Sequence, residues 1–131
     1  MTDASLTGVG AVLQQRLNDA WQPLAFFSRK LTPAQQRYST FGRELLAIYL
    51  SIRHFRTFLE GRVFSVATDH RALQSALPCS ADRYSPREVR HLQFISEFTT
   101  DIRHVSDVAN DAADALSRAT ISLISPHSPS P

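Results

Sequence analysis

The sequence has very little cysteine and no long hydrophobic run. Its single cysteine, Cys79, excludes an internal disulfide and a zinc site built from several cysteines. No apolar stretch approaches the roughly 20 residues that a transmembrane helix needs. No basic start followed by an apolar stretch suggests a secretory signal. These absences exclude disulfide-rich and helical membrane classes and leave an ordinary globular protein.

Lysine is scarce as well, because 13 of the 14 basic residues are arginine. They stand against 12 acidic residues, which gives a net charge of +2. The guanidinium group is a planar fork that matches phosphate oxygens. Charge alone therefore fits two interpretations equally well: a protein that binds phosphate, and a mildly basic solvated surface that has no partner.

The length of 131 residues and a hydrophobic share of 43% predict one domain. The last residues, ending in S-P-H-S-P-S-P, have no apolar pattern that could form a core. We therefore expect a folded domain over residues 1–118 and a disordered tail over residues 119–131.

The first elements have the pattern of a β-hairpin. Gly8–Gln15 and Trp21–Ser28 are short and apolar, and Asn18-Asp19 supplies a turn between them. Pro23 cannot donate a hydrogen bond to a central ladder. We therefore expect the second strand at a sheet edge or at a bulge.

A long amphipathic helix is predicted from Pro33 to about Glu60. Thr32 and Gln35 form a capping box, and Gly61 is suited to the end of the helix. Gly42 costs the helix roughly 1 kcal/mol relative to alanine, so we expect close packing there. The apolar stripe also allows a coiled coil, but the flanking positions carry no ladder of opposite charges, which favours packing on a sheet. The stripe consists of Tyr38, Phe41, Leu45, Ile48, Ile52, Phe55 and Leu59.

The second half of the chain alternates strands and helices. The patterns predict strands at 62–68 and 99–105, helices at 71–76 and 86–98, and a final helix that ends at Arg118. The order β-β-α-β-α-α-β-α combines an antiparallel hairpin with parallel crossover units. It predicts an α/β fold with a mixed sheet.

Four carboxylates occur where strand and helix ends could gather them: Asp3, Glu44, Asp69 and Asp114. Asp69 follows a buried strand, and sites in α/β proteins form beyond the carboxyl ends of strands. Four converging negative charges repel one another unless cations lie among them, and the usual remedy is a pair of divalent metal ions. The usual chemistry of a site with two such ions is phosphodiester cleavage. Taken singly, each acid is more ordinary, as a turn former, a helix cap or a solvated side chain.

The contexts of these acids resemble the RNase H domain of reverse transcriptases from gypsy-type LTR retrotransposons. The resemblance covers about residues 2–118. The matching segments are T-D-A-S at Thr2–Ser5 with Gly8, Gly10, Ala11 and Val12; F-S-R-K-L at Phe27–Leu31; Tyr38-Ser39-Thr40; E-L-L-A at Glu44–Ala47; T-D-H at Thr68–His70; Ala72-Leu73; and Asn110 with A-D-A-L-S-R at Ala113–Arg118.

The resemblance implies an RNase H-like fold, a five-stranded mixed sheet flanked by helices, with the strand that carries Pro23 at an edge. It implies that Asp3, Glu44, Asp69 and Asp114 are catalytic and hold two Mg²⁺ ions, with Mn²⁺ as an alternative. The implied reaction is endonucleolytic hydrolysis of the RNA strand of an RNA–DNA hybrid. Asp111, three residues before Asp114, is the competing candidate for the fourth ligand.

Further site residues follow from the same resemblance. His104 corresponds to a histidine that assists proton transfer or product release, although a half-exposed histidine at a strand end is an equally good interpretation. The candidates for substrate binding are Ser5, His70, Arg71 and Asn110.

The chain departs from the family pattern at its start, where the family has a full apolar strand before T-D-A-S. We therefore expect a truncated first strand in a fragment of a polyprotein. The alternative function is a catalytically inactive module that binds nucleic acid or a protein. Expected partners are an RNA–DNA hybrid and an adjacent polymerase domain, without a membrane. The expected location is intracellular and cytoplasmic, with virus-like particles as one setting.

Overall fold

The computed structural model describes residues 8–17, 20–76, 81–99, 101–104 and 119–123. The described elements are β1 Gly8–Leu17, β2 Ala20–Lys30, α1 Pro33–Gln36, α2 Thr40–His54, α3 Arg56–Leu59, β3 Phe64–Thr68, α4 Arg71–Gln74, α5 Pro86–Ser96, β4 Ile102–His104 and β5 Ala119–Leu123, with a 3-10 turn at Ala81–Arg83.

The predicted hairpin is confirmed, and both of its strands are longer than their sequence patterns. β1 and β2 pair antiparallel from Gly8 with Lys30 to Leu17 with Ala20. The register shifts between Leu13 and Gln14, where Pro23 lies opposite Gln14. β2 is also the edge strand of the sheet. Both consequences expected from the proline are therefore present, an edge position and a bulge.

The prediction of one helix from Pro33 to Glu60 is wrong, because that segment forms three helices. Thr32 caps α1 with the expected capping box, but the helix stops after one turn. Ser39 then begins α2, and its hydroxyl accepts a hydrogen bond from the Gly42 amide at 3.0 Å. A serine cap inside an apolar stripe starts a new helix because its side chain competes for the backbone donors.

The close packing expected at Gly42 is confirmed. A side-chain carbon there would lie 3.2 Å from Ser39 Oγ and 3.4 Å from Glu88 Oε2. Glu88 belongs to the capping box with Ser85 that starts α5. The first turns of α2 and α5 therefore meet at this glycine. Gly61, expected at the end of the helical segment, has a φ of 77°, which favours glycine.

The five strands form one mixed sheet in the order β2-β1-β5-β3-β4. β5 pairs antiparallel with β1 and parallel with β3, and β3 pairs parallel with β4. The expectation of a disordered tail from residue 119 is wrong for Ala119–Leu123, which form the central strand. Parallel pairing with a distant segment leaves no local sequence signal. Residues 124–131 lie outside the described residues, and so do the residues of the predicted final helix and of the first strand that we expected to be truncated.

One face of the sheet packs against α2 and α5 to form the main core. Its fully buried side chains come from the hairpin, from the parallel strands and from the helices, so the core joins the hairpin to the parallel strands. They include Ala11, Leu13, Leu45, Ile48, Ile52, Phe64, Val66, Leu92, Ile95 and Ile121. A smaller cluster of Leu31, Leu46 and Leu50 fixes the end of β2 to the same helix.

The parallel strands β3 and β4 are short and lie near their predicted positions. β3 is buried along its whole length, as its apolar pattern predicts. β4 is only three residues long, although Thr99 and Asp101 before it also bond to the β3 backbone at Phe64 O and Val66 N. None of the described helices is long and apolar enough to span a membrane.

Candidate nuclease site

The candidate site lies at the carboxyl end of β3. The strand ends at Thr68, and Asp69 follows directly with an exposed side chain. His104, the last residue of β4, pairs in parallel register with Thr68. β5 runs in the same direction and ends at Leu123, one position past the Ala67–Ser122 pair. Three parallel strands therefore end at one edge, which is where α/β proteins place their sites.

Glu44 reaches this edge from α2. The next residues, Leu45 to Ile48, are buried against the sheet, and Glu44 itself is half-buried at the margin of that face. Burial, and to a smaller extent the negative charge of Asp69, raise the pKa of the Glu44 carboxyl from its ordinary value of 4.5 to about 7. The structure thus brings Glu44 and Asp69 into one electrostatic neighbourhood.

Arg43 moderates this repulsion and is a residue that the sequence analysis missed. Its positive charge lowers the pKa of Glu44, but burial and Asp69 together have the larger effect. The guanidinium is also engaged elsewhere, because Nη1 donates to the carbonyl of Gln36 at 3.2 Å. Adjacent positions on a helix do not face each other, so its place beside Glu44 in the sequence gave no sign of an interaction.

These two carboxylates fit part of a divalent metal site. They are hard oxygen donors, as Mg²⁺ requires. Two neighbouring carboxyl groups beside one partly committed arginine make an environment in which a bound cation would favour the charged carboxylates. Across the described ranges, no group of three or more histidine, cysteine, aspartate or glutamate side chains could hold a metal ion. The described residues therefore account for two of the four predicted ligands.

His70 is fixed at the same edge by backbone and aromatic contacts. Its amide donates to Thr68 Oγ1 at 3.1 Å, and its ring meets Phe41 edge to face with centroids 6.1 Å apart. Phe41 in turn stacks on Tyr84 at 5.4 Å. His70 Nδ1 is buried with no hydrogen-bond partner among the described residues. Sequence reasoning missed this aromatic support because Phe41 and Tyr84 come from separate segments.

The remaining predicted site residues divide into two groups. Arg71 is described as the first residue of α4, exposed and two positions after Asp69. The others lie outside the described residues, and their roles stay predictions: Asp3, Ser5, Asn110 and Asp114, together with the rival ligand Asp111.

The family described as the RNase H-like domain found in reverse transcriptase matches residues 1–98. The chain belongs to this family. The mixed five-stranded sheet with its flanking helices is consistent with that membership. The match spans both described acids of the site.

Curated relatives are similar over almost the whole domain. The Tf2-3, Tf2-4 and Tf2-5 transposon polyproteins of Schizosaccharomyces pombe are each 38% identical over 120 residues, which is 89% of this chain. The chain spans about 9% of the length of these relatives. No solved structure matches the chain.

Proposed function

We propose that the chain is a metal-dependent endonuclease that hydrolyses the RNA strand of RNA–DNA hybrids. The observation that carries the proposal is the pair Glu44 and Asp69 at the carboxyl end of β3, in a chain of the reverse transcriptase RNase H-like family. A substrate phosphate at this edge would meet two carboxylates, with Arg71 at the start of the next helix.

Glu44 and Asp69 would hold two Mg²⁺ ions together with Asp3 and Asp114. When bound, the metals supply an activated water and neutralise charge on the scissile phosphate and the leaving oxygen. Because the pKa of Glu44 is about 7 without a cation, the carboxyl must release a proton before it can act as a ligand. His104, beside Thr68, is placed at the edge where a proton donor or acceptor would be needed.

We also propose the setting in which this activity operates. Similarity to transposon polyproteins supports a place within the polyprotein of a retrotransposon of the gypsy type, next to a polymerase domain. The work of the nuclease would then be removal of the RNA template strand inside the cell, in the cytoplasm or in virus-like particles.

The test is cleavage of an end-labelled RNA–DNA hybrid by the purified chain in Mg²⁺. Asp69→Asn and Glu44→Gln should each reduce the rate at least about 100-fold, because each removes a metal ligand. Glu60→Gln, a change to an exposed acid at the opposite edge, serves as the matched control and should leave the rate unchanged. Equal rates for Asp69→Asn and the wild type would refute the proposal.

An inactive binding module is the second candidate. One feature of the central strand favours it. β5 ends beside Asp69 with Ser122 and Leu123, and neither of these residues carries a carboxylate. In this case the chain would bind the hybrid with no cleavage in Mg²⁺ or Mn²⁺. Binding and cleavage measured on one preparation distinguish the two candidates.

A further inference from the structure

The hairpin extends past the edge at which the parallel strands end. Ala11 pairs with Leu123, and β1 runs antiparallel to β5, so Gly8–Gly10 lie beyond the ends of β5 and β3. Their partners across the hairpin are Ser28–Lys30. This overhang is therefore level with Asp69 but on the far side of the sheet order. Three strand spacings separate β3 from β2, roughly 14 Å.

An open groove of about 300 Å³ lies in this overhang. It is lined by Gly8, Val9, Ser28, Arg29 and Lys30. Its volume corresponds to about ten water molecules, enough for a phosphate group with part of its hydration shell. A side-chain carbon at Gly8 would lie 3.3 Å from the carbonyl oxygen of Arg29, so the two strands approach each other closely at this end of the groove.

The groove carries two positive charges that are exposed to solvent and to a ligand. Arg29 and Lys30 are both exposed. Within the described part of the chain the one ion pair joins Arg103 to Asp101 at 2.8 Å, so neither groove residue is paired with a described carboxylate. Arginine presents a fork suited to phosphate oxygens, and lysine adds a point charge.

The backbone beneath the groove is held in place before any ligand arrives. Val9 packs into the cluster of Leu31, Leu46 and Leu50 on α2. The Leu31 carbonyl accepts a hydrogen bond from Gln36 Nε2 at 3.1 Å, and Thr32 then caps α1. A preorganised site loses less free energy on binding because little has to be ordered.

We propose that this groove binds backbone phosphates of the nucleic-acid strand that crosses the candidate nuclease site. The inference rests on the proposed function for its ligand class. The roughly 14 Å between β3 and β2 places the contact a few nucleotides from the scissile phosphate along the same strand. Arg29 and Lys30 would anchor the substrate, while Glu44 and Asp69 act on it.

The test compares two double variants by fluorescence anisotropy with a labelled RNA–DNA hybrid in EDTA, where no metal-dependent turnover occurs. Arg29→Gln/Lys30→Gln removes the groove charges. Arg56→Gln/Arg62→Gln removes two exposed charges before the amino end of β3, at the opposite edge. All four sites are exposed, and matched thermal unfolding curves verify that both variants fold.

The groove variant should bind about 10-fold more weakly near 0.1 M salt, irrespective of sequence. Its plot of log K against log salt should be shallower by about 1 to 2, since each lost phosphate contact contributes about 0.9. The control variant should keep the wild-type slope. Equal slopes for the two variants would overturn the proposal.

The outcomes also separate this inference from the proposed function. A changed slope with no cleavage by the wild type would retain the groove and refute the nuclease. Normal cleavage by the wild type, together with a wild-type salt slope for the groove variant, would retain the nuclease and refute the groove. Binding of polyglutamate that depends on Arg29 and Lys30, with no binding of the hybrid, would assign the groove to an acidic protein partner and overturn the proposal.

Discussion

The two flanks of β5 are built in different ways. On one side, β1 and β2 are joined across residues 18 and 19 and pair with each other along their whole length. On the other side, β3 pairs in parallel with segments far along the chain, such as Phe64 with Ala119. The first flank is a local structure, whereas the second requires loop closure over more than fifty residues.

The flanks also differ in what they offer a ligand. The parallel flank supplies Asp69 and His104 at its carboxyl end, whereas the hairpin flank supplies Arg29 and Lys30 in its overhang. β5 lies between them and sets their separation. The geometry of the whole edge therefore depends on a five-residue strand near the end of the chain.

The largest expected effect comes from breaking this central strand. Ile121 is fully buried, opposite Leu13 on the hairpin side and Val66 on the parallel side. Ile121→Ala should lower the free energy of unfolding by about 2–5 kcal/mol, because it leaves a cavity between both flanks. Urea unfolding measures the loss.

Leu123→Ala is the matched control for this change. Leu123 belongs to the same strand but is only half-buried, so its truncation should cost clearly less. Similar losses for the two variants would show that β5 does not occupy the centre of the sheet.

The same contrast explains which elements could be predicted from the sequence. The hairpin, its edge proline and the capping boxes at Thr32 and Ser85 depend on neighbouring residues, and local patterns therefore carry them. The central position of β5 could not be predicted, since A-T-I-S-L differs little from any short apolar run. Its place depends on hydrogen bonds to strands encoded far away.

The candidate site was predictable to a similar degree. Asp69 at a strand end and Glu44 at a helix margin follow from periodicity, and the structure places both at one edge. Arg43 and the stack of Phe41 on Tyr84 follow only from tertiary packing. The groove at Arg29 and Lys30 depends on strand register, which fixes how far the hairpin extends past β3.

A smaller effect is expected where β5 is bonded to the parallel flank by side chains. The hydroxyls of Ser65 and Thr120 are buried and lie 3.1 Å apart. Thr120→Val keeps the shape but leaves the Ser65 hydroxyl without this partner, which should cost about 1–3 kcal/mol in urea unfolding. Adding Ser65→Ala should recover most of the loss.

The hairpin flank provides the comparison for this pair. Gln14 Nε2 donates to Ser122 Oγ at 2.9 Å, but this bond is only partly buried. Water can replace a lost partner there, so Ser122→Ala should cost about 0.5–1.5 kcal/mol. A larger loss from Ser122→Ala than from Thr120→Val would reverse the assignment of the more tightly bonded flank.

The last expected effect is similar in size to the loss from Ser122→Ala, but it is a gain in stability at the site. The pKa of Glu44 in the folded chain is about 7, above its ordinary value of 4.5, so the folded state binds the additional proton between these values. The contribution of this carboxyl to the free energy of unfolding is therefore fully present below about pH 4.5 and is lost as the pH rises through 7. Glu44→Gln removes this loss and should be more stable than the wild type at pH 8 by about 1–2 kcal/mol, after allowance for the screening of a half-buried group.

Urea unfolding between pH 5 and 9 in EDTA checks this prediction, with the exposed Glu60→Gln as control. The stability curves of wild type and Glu44→Gln should diverge as the pH increases, while the control follows the wild type. Curves that stay parallel would show that the carboxyl is not held in a desolvated position beside Asp69. A divergence would show that stability and metal binding make opposite demands on Glu44. The charged carboxylate destabilises the fold, but it is the form that a metal ion requires.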